Sequence, residues 1–524
     1  MLFHQLNCPK GLMKLLVENV KMTDADINSY PDRIADCYKN KTLFITGGTG
    51  FVGKVLVEKL LRSCSDLKRM YLLIRSKKGK RPEERIKDLV NDPLFDLLKK
   101  TRGADIVKKI FPIAGDVSLP DLGISKKDRA TITTETDFIF HCAATIRFDE
   151  SLKKAVLLNV RGTKLMLELA KECKKLAIFS HLSTSYCHLH ERVLKEKTYP
   201  PPANPHHVIK TVEWMKDDVI DAITPKILGD IPNTYAFTKA LGESLVADEM
   251  NNLPVIILRP SIVIPIWKEP IPGWTDNING PAGLLIGAGK GVIRTMYCDS
   301  DGYADFLPVD IGVNAMIVST LDYHVYGGVR RIYNLTSSAE YKISWSEIIE
   351  IGREVIETKI PLNNVAWYPG GSLKKSRVVH NICFYLFHML PAILVDALLM
   401  LLGYKPILMR VQKRISKGFE VFEYYANNQW DFDNDGSLKA RKLLNPREKL
   451  IYKLDGDGID YVEYFTNCVH STRLYILKET DDTIPAAKRH MKLMWLVDKL
   501  FKFAFIFGMV YLLWTKIMKP VMEW

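Results

Sequence analysis

The sequence lacks the paired cysteines, repeats and biased tracts that define several protein classes. Its nine cysteines are scattered over 524 residues without a Cys-x-x-Cys pair. We therefore expect a reducing compartment and mostly buried thiols rather than a disulfide scaffold. No internal repeat or low-complexity tract is present, and 47% hydrophobic with 25% charged residues are ordinary values. Disordered, collagen-like and coiled-coil chains are thereby excluded, and the length predicts two or three structural units.

Patterns typical of nucleic-acid and metal binding are also missing. The net charge of +13 suits any polyanionic partner, but no zinc-finger spacing or RNA-recognition motif accompanies it. Cys187, His188 and His190 have no second ligand group, as a zinc site would require. The run 431–436 resembles half of a calcium loop, but Lys442 stands where the loop needs a glutamate. The sequence predicts neither a nucleic-acid partner nor a metal.

A secretory signal is absent from the first 38 residues, where charged residues recur throughout. Near the other end, Phe503 to Trp514 reads FAFIFGMVYLLW and is apolar on all faces. Twelve helical residues span about 18 Å, whereas residues 495–515, with lysines snorkelling, span about 30 Å, the thickness of the hydrocarbon core. We predict a membrane anchor at about 495–515, spanning or half-inserted, rather than a buried terminal helix. It would leave the catalytic mass on the cytosolic side.

A second apolar stretch, Ile382 to Leu402, contains His388, Pro391 and Asp396. Ionisable residues are costly in lipid, and proline interrupts a helix. We therefore predict a buried or interfacial helical hairpin here in preference to a membrane-spanning helix.

Short β-rich runs alternate with helical periodicity through the first half of the chain. Continuous apolar runs of this kind suit parallel strands buried on both faces, and the alternation predicts a doubly wound α/β sheet. Beyond Gly370 the pattern is largely helical. The predicted strands are 41–46, 70–74, 137–143, 176–184 and 255–263. The predicted units are an extension (1–37), a nucleotide-binding reductase domain (38–370), a helical C-terminal domain (371–480) and a tail with the anchor (481–524).

A glycine-rich turn links the first predicted strand to a helix. The run GGTGFVG contains Gly47, Gly50 and Gly53 with G-x-x-G-x-x-G spacing. Residues without Cβ let backbone amides approach a pyrophosphate, and the helix N-terminus adds partial positive charge. Its place between strand and helix is the context that the motif requires. The sequence predicts a dinucleotide site formed by Thr46, Gly47, Thr49, Gly50, Phe51, Val52 and Gly53.

The end of the second strand indicates which dinucleotide binds. Arg75, followed by Lys77 and Lys78, stands where an NAD enzyme usually carries a carboxylate. Arginine can hold a 2′-phosphate bidentately, so NADPH is the predicted cofactor, although a solvated basic loop would look the same. Asp116 and Val117 follow another short strand, where Asp116 either accepts from the adenine amino group or simply closes a turn.

Tyr235 and Lys239 are four residues apart, which places both on one face of a helix. An ammonium one turn away, together with the charge of the nicotinamide, would favour the phenolate and lower the phenol's ordinary pKa of about 10. The glycine turn, the hydroxyl-rich segment Ser183 to Ser185 and this pair follow one another in an order that resembles extended short-chain dehydrogenases/reductases. The resemblance implies that Thr184 or Ser185 binds the substrate carbonyl, Tyr235 donates a proton and Lys239 binds the nicotinamide ribose. It also implies a turn beside the cofactor at Ala143.

Longer segments resemble the eukaryotic fatty acyl-CoA reductases over roughly residues 38 to 480. They include LSTSYC, YAFTKALGE, the tryptophan-bearing run WKEPIPGWTDNINGP and the C-terminal NQWDFDND. The resemblance implies an enzyme that reduces long-chain acyl-CoA to fatty alcohol and CoA through an aldehyde. It would work at the endoplasmic reticulum or peroxisome membrane, where acyl chains partition. Trp267 and Trp274 would either line an acyl tunnel or anchor the loop by packing.

The residues leave alternative functions open. An extended reductase acting on a sterol or a nucleotide-sugar would share the glycine turn and the Tyr/Lys pair, but not the helical C-terminal region. A non-catalytic NADPH-binding membrane scaffold would not need Tyr235, Lys239 and the Ser/Thr cluster together. The sequence indicates neither chain-length preference nor oligomeric state.

Overall fold

A seven-stranded, entirely parallel β-sheet forms the centre of the computed structural model, which describes residues 23–77, 79–278, 281–337, 340 and 342–518. Residues 1–22 of the predicted extension and Lys78 of the basic loop lie outside the described residues. The strands are β1 (Thr42–Thr46), β2 (Arg69–Ile74), β3 (Ile110–Ala114), β4 (Phe138–His141), β5 (Ile178–Leu182), β6 (Val255–Pro260) and β7 (Ile332–Leu335).

The strand order β7-β6-β5-β4-β1-β2-β3 confirms the doubly wound fold. The chain leaves β1 in one direction through β2 and β3 and then returns to β4 on the other side. Ligands of such sheets bind at this switch point, beyond the carboxyl ends of the strands. The apolar runs of β1 and β6 are buried along their whole length because helices cover both faces of the sheet.

Two hydrophobic cores lie on the two faces of this sheet. On one face, helices Phe51–Ser63 and Val309–Val325 contribute Leu60 and Ile317, both fully buried. On the other face, Thr234–Asp248 packs beside the continuous helix 152–172. The remaining helices of residues 23–370 are Asp24–Asn28, Arg33–Tyr38, Pro82–Val90, Asp96–Arg102, Lys126–Glu135, Pro205–Trp214, Asp217–Leu228, Pro281–Gly289 and Trp345–Glu354.

All five predicted strands are present, with two differences. The run 255–263 divides at Ser261 into β6 and a short strand, Ile262–Ile264, that pairs with Phe306–Pro308 instead of joining the central sheet. Strand β7 was missed because its four residues show neither a long apolar run nor alternation. Burial against β6 makes it a strand, and this is a tertiary effect.

The C-terminal part is helical, as predicted, and it is joined to the reductase part by a strand. Residues Asp431–Phe432 pair with Val193–Leu194, and Arg33 forms an ion pair with the buried Glu448. Another parallel pair joins Thr295–Tyr297 to Ser372–Lys374. The C-terminal helices are Arg377–Leu401, Leu408–Ala426, Asp435–Leu443, Pro446–Ile451, Tyr461–Ser471 and Ile484–Leu513.

The second apolar stretch forms a hairpin of helices Arg377–Leu401 and Leu408–Ala426, which pack against each other. It differs from the prediction in two ways. Pro391 does not interrupt the helix, since a wider π-helical turn, Tyr385–Met389, precedes it and relieves the clash that proline makes with the preceding turn. The helix is also largely exposed, so the buried alternative is wrong, while the interfacial alternative stays a prediction. Within the described residues, it is the one helix long and apolar enough to cross a membrane.

The terminal helix Ile484–Leu513 has two distinct halves. Its first half docks on the protein through the buried residues Ala487, Met491 and Asp498. The carboxylate of Asp498 accepts a hydrogen bond of 2.7 Å from the Trp367 indole and pairs with Lys502. The predicted anchor therefore begins where the helix contacts the protein through Asp498, and its exposed apolar side chains include Trp495 and Leu496 before this contact as well as residues beyond it.

Candidate active site

The glycine turn lies at the carboxyl end of β1, at the switch point of the sheet. Gly47 has φ of +75°, and a Cβ there would lie 2.8 Å from the backbone of Cys142 and Ala143. A Cβ on Gly53 would lie 2.2 Å from the Gly47 carbonyl oxygen. The Gly50 amide donates to that same oxygen at 2.9 Å and caps the helix that begins at Phe51. Two glycines are thus required by close backbone approach, as in a dinucleotide-binding turn.

The other side chains of the turn support it from behind. The Thr46 hydroxyl is fully buried, lies 2.8 Å from His141 Nδ1 and accepts from the Ala143 amide at 3.2 Å. The Thr46 side chain therefore holds the turn that follows β4 in place, and it does not offer its hydroxyl to a ligand. Burial lowers the pKa of His141 to about 3, so this ring is neutral. Phe51 stacks on Trp274 with ring centroids 6.0 Å apart.

Basic residues gather at the end of β2. Arg75 is half exposed, and its guanidinium lies 3.6 Å from Asp116 Oδ2. Asp116 Oδ1 accepts from the Ser118 amide and hydroxyl, so this carboxylate closes a turn and offers one oxygen to the site. Arg85 donates to the Thr49 hydroxyl at 2.8 Å and to the Arg75 carbonyl at 2.7 Å. The sequence does not predict Arg85 as part of this site, because Arg85 lies ten residues beyond Arg75 in the chain.

Two further predicted cofactor residues have packing roles in the structure. Val117 is buried, and a Cβ on Gly162 would lie 2.9 Å from its carbonyl oxygen, so helix 152–172 approaches the loop closely there. Val52 is half-buried within the first turn of helix Phe51–Ser63. Neither side chain offers a polar group to a ligand.

Tyr235 and Thr184 come together from different elements. Tyr235 is in the first turn of helix Thr234–Asp248, whose N-cap Asn233 accepts from the Ala236 amide at 2.9 Å. Thr184 follows β5, and its hydroxyl lies near enough to the Tyr235 phenol to lower the pKa of that phenol. Burial raises the pKa of Tyr235 to about 12, against the lowering effect of Thr184. This direction is the reverse of the predicted one, so the phenol keeps its proton at neutral pH.

Lys239 does lie one turn from Tyr235, but its ammonium is bound to the backbone. Its Nζ donates to the Leu182 carbonyl at 2.7 Å. Burial lowers the pKa of Lys239 to about 8, although Cys142, Cys187 and Glu243 act in the opposite direction. The ammonium is therefore held at the end of β5, next to the segment Ser183 to Ser185, and it does not pair with the Tyr235 phenol.

The three hydroxyls that follow β5 have different partners. Ser185 donates to the Arg259 carbonyl at 2.7 Å, and Ser183 donates to Glu243 at 2.6 Å. Thr184 alone of the three turns towards Tyr235. The geometry therefore favours Thr184 over Ser185 as the residue that binds the substrate carbonyl. The catalytic roles of these residues stay predictions.

A buried ionic network lies directly beneath this site, and sequence reasoning missed it. Glu243, two turns beyond Tyr235, accepts from Arg259 at 2.6 Å and 3.1 Å and lies 3.0 Å from His188 Nε2. Burial alone would raise the carboxyl pKa, but Arg259 and His188 hold the pKa of Glu243 well below its usual range. For His188, burial favours the neutral ring, yet Cys187 and Glu243 raise its pKa to about 10.

Cys187, His188 and Glu243 are also the one trio of potential metal ligands that converges within the described part of the chain. The chemistry of the trio does not suit a cation. The carboxylate oxygens already accept from Arg259 and Ser183, and the guanidinium lies 2.6 Å away. An ion pair, rather than a metal, accounts for these side chains.

Two further neighbours of the site come from distant parts of the chain. Asn159, in the π-helical turn Val156–Arg161, donates to Thr238 at 3.0 Å and so braces the Tyr235 helix. Tyr425, from the C-terminal helix Leu408–Ala426, accepts from Asn233 at 2.9 Å. The Phe148 ring lies 5.4 Å from both Tyr235 and Tyr425. Nothing local in the sequence indicates these contacts.

Comparisons with known proteins agree with this geometry. Two family models described as "Male sterility protein" match residues 45–316 and 387–479. Fatty acyl-CoA reductase 1 of Xenopus laevis is 39% identical over 465 residues, which cover 87% of this chain and 89% of the relative. The chain belongs to the fatty acyl-CoA reductase family. Fatty acyl-CoA reductase 1 of Homo sapiens is 38% identical with the same coverage, and fatty acyl-CoA reductase wat of Drosophila melanogaster is 39% identical over 87% of this chain and 88% of the relative.

Solved structures resemble the fold of this fatty acyl-CoA reductase family member. The terminal R domain of the myxalamid PKS-NRPS pathway gives a TM-score of 0.57 at 18% identity, with 84% of this chain and 92% of that domain covered. The R domain of a nonribosomal peptide synthetase from Mycobacterium tuberculosis gives 0.54 at 17%, with 87% and 99% covered. Identities this low concern the fold alone.

The ionic network beneath the site predicts a pH-dependent contribution to stability. A histidine whose folded pKa lies above its unfolded value of about 6.5 stabilises the protein fully below that pH. The contribution is lost as the pH rises towards about 10. We expect His188→Gln to lower the free energy of unfolding by about 1.5–3 kcal/mol at mildly acidic pH. The difference from wild type should shrink on the alkaline side.

Urea unfolding of both proteins across this range measures the difference. His190→Gln is the matched control, because the His190 side chain is mostly exposed. A gap between wild type and His188→Gln that stays constant with pH would contradict the assignment of a charged His188.

Proposed function

We propose that this protein reduces long-chain fatty acyl-CoA to fatty alcohol and CoA with NADPH, through an aldehyde. The observation that carries the proposal is that Tyr235 and Thr184 lie together at the end of β5, in the same sheet whose strand β1 ends in the glycine turn, in a chain of the fatty acyl-CoA reductase family. The family relationship favours this function over the sterol, nucleotide-sugar and scaffold alternatives.

The residues present fit an NAD(P) dinucleotide. A Cβ at Gly47 or Gly53 would clash with neighbouring backbone, so these glycines keep the turn tight, and the helix that begins at Phe51 presents its N-terminus at this turn, as pyrophosphate binding requires. Bound NADPH would supply hydride. Arg75, with Arg85 beside it, would hold the 2′-phosphate, and Asp116 Oδ2, which lies 3.6 Å from Arg75, would accept from the adenine amino group. Lys239 would bind the nicotinamide ribose.

The chain's own contribution is to hold and transfer a proton. The raised pKa of Tyr235 keeps the phenol protonated, as a donor to a developing alkoxide must be. Thr184 would donate a hydrogen bond to the same oxygen, and both groups are pre-positioned, so they need no reorganisation as charge develops. In the first reduction the protonated hemithioacetal expels CoA thiol and leaves the aldehyde. In the second, Tyr235 would protonate the aldehyde oxygen to give the alcohol.

Tyr235→Phe removes the proton and keeps the ring. We expect kcat for palmitoyl-CoA to fall by about 10²–10⁴, the usual contribution of a positioned general acid. Nucleotide binding, measured by fluorescence titration, should change little. Tyr326→Phe, on the surface at the end of helix Val309–Val325, is the matched control. Undiminished production of fatty alcohol by Tyr235→Phe, measured by mass spectrometry, would remove the phenol from the mechanism.

The choice of NADPH over NADH depends on Arg75. Loss of a hydrogen bond to a charged group costs about 1.5–3 kcal/mol, so Arg75→Ala should weaken NADPH about 10- to 100-fold. NADH, which lacks the 2′-phosphate, should bind as before. Arg129→Ala, at a surface ion pair with Glu172, controls for loss of a positive charge. Isothermal titration of both nucleotides measures the ratio, and equal weakening of the two would contradict the assignment.

The proposed membrane contact is the exposed apolar part of the terminal helix. Apolar side chains of this helix are exposed from Leu493 onwards, and beyond Phe503 no described residue of the helix is buried, whereas Asp498 holds the earlier part to the protein. Twelve residues, 503–514, reach about 18 Å, roughly half of the hydrocarbon thickness. A half-inserted anchor that keeps the catalytic domain on the cytosolic side of the endoplasmic reticulum or peroxisome accords with this length.

Removal of residues 503–524 tests the anchor. We expect the truncated chain to partition into phosphatidylcholine vesicles at least about tenfold less than the full chain, since each buried methylene contributes about 0.8 kcal/mol. Removal of residues 519–524 alone is the control. Vesicle flotation measures the bound fraction. Unchanged binding after the longer truncation would contradict the tail anchor and assign the contact to helix Arg377–Leu401.

A further inference from the structure

A large apolar cavity lies between the reductase part and the C-terminal helices. Its volume is about 200 Å³, and carbon atoms form almost all of its wall. Helices Pro281–Gly289, Trp345–Glu354 and Tyr461–Ser471 surround it, and the strand pair Thr295–Tyr297 and Ser372–Lys374 closes one side. Unfilled apolar space of this size destabilises a protein, because its lining loses packing partners.

Two elements connect the cavity with Tyr235. The short strand Ile262–Ile264 packs Ile262 into the aromatic cluster of Phe148, Tyr186 and Tyr425, while Ile264 lines the cavity. Helix Leu408–Ala426 also contacts both regions. Its Tyr425 belongs to the aromatic cluster, and Phe422, one turn earlier, lines the cavity. The cluster contacts the catalytic phenol through Phe148, 5.4 Å from Tyr235. Packed apolar side chains therefore form a continuous connection between Tyr235 and the cavity wall.

The cavity is kept open by a glycine that packing does not require. A Cβ on Gly352 would meet Leu285 at 3.5 Å and Phe465 at 3.8 Å, which are ordinary van der Waals contacts. Glycine within a helix costs stability relative to alanine. Its presence at this wall keeps the space free of side chains. Trp267 and Trp274 are buried elsewhere and do not line this cavity, so they act as packing anchors.

We propose that this cavity binds the distal part of the acyl chain, with the thioester at Tyr235, and that residue 352 limits the chain length accepted. The inference rests on the proposed function, because the family activity supplies the alkyl substrate. The absence of charged side chains from most of the wall excludes the CoA moiety from this space. CoA must lie on the polar side of Tyr235, and the chain extends through the aromatic cluster.

Gly352→Leu fills the cavity, and Gly352→Ala, which fits without displacement, is the matched control. We expect Gly352→Leu to lower kcat/KM for palmitoyl-CoA about tenfold or more relative to octanoyl-CoA, since lost methylene contacts in an apolar pocket have effects of this size. Gly352→Ala should keep the wild-type ratio. Val469→Phe, at another lining position on helix Tyr461–Ser471, provides a second variant if Gly352→Leu does not fold. An equal fall for both substrates in the folded variants would overturn the inference.

A binding measurement separates this inference from the proposed function. Hexadecyl-CoA thioether has no carbonyl to reduce, and its affinity for the full-length enzyme is measured by isothermal titration. We expect Gly352→Leu to weaken it about tenfold and to leave CoA unaffected. Wild-type protein that reduces no acyl-CoA but binds hexadecyl-CoA in this Gly352-dependent way would overturn the function and support the cavity. Binding insensitive to both variants would overturn the cavity assignment.

Discussion

The buried carboxylate of Glu243 is the contact on which the active site depends. It joins helix Thr234–Asp248 to Arg259 on β6 and to Ser183 at the end of β5. Tyr235, Lys239 and Glu243 lie four residues apart along one helix face, so fixing the last of them fixes the first two. A charge buried this deeply is tolerated only when it is paired and hydrogen bonded. The network therefore holds three elements in one register and places Thr184 against the phenol.

The electrostatics of the site suit proton donation more than phenolate formation. Lys239 is held by the Leu182 carbonyl, and burial raises rather than lowers the pKa of Tyr235. A reductase needs a protonated donor, and desolvation alone provides it. The expectation of a lowered pKa failed because residue spacing shows that two groups share a face but does not show which partner the ammonium binds.

The C-terminal helices are part of the catalytic unit rather than an attachment to it. Tyr425 contacts Asn233 at the start of the Tyr235 helix, and Phe422, one turn earlier, reaches the apolar cavity. The ion pair between Arg33 and Glu448 joins helix Arg33–Tyr38, near the start of the described chain, to the C-terminal helices. A segment far from the glycine turn in sequence thus completes both the surroundings of Tyr235 and the wall of the apolar cavity.

Local sequence determined the features that depend on backbone sterics and short-range periodicity. The glycine turn, the strands of β1 to β6 and the shared face of Tyr235 and Lys239 follow from chain-local rules, and the structure agrees with them. Tertiary structure alone decided the contacts that join distant segments: Arg85 at Thr49, Tyr425 at Asn233, and Glu243 at Arg259. It also decided that the helix around Pro391 continues and stays exposed. Burial and pairing partners depend on which surfaces meet when the chain is folded, and no window of neighbouring residues contains that information.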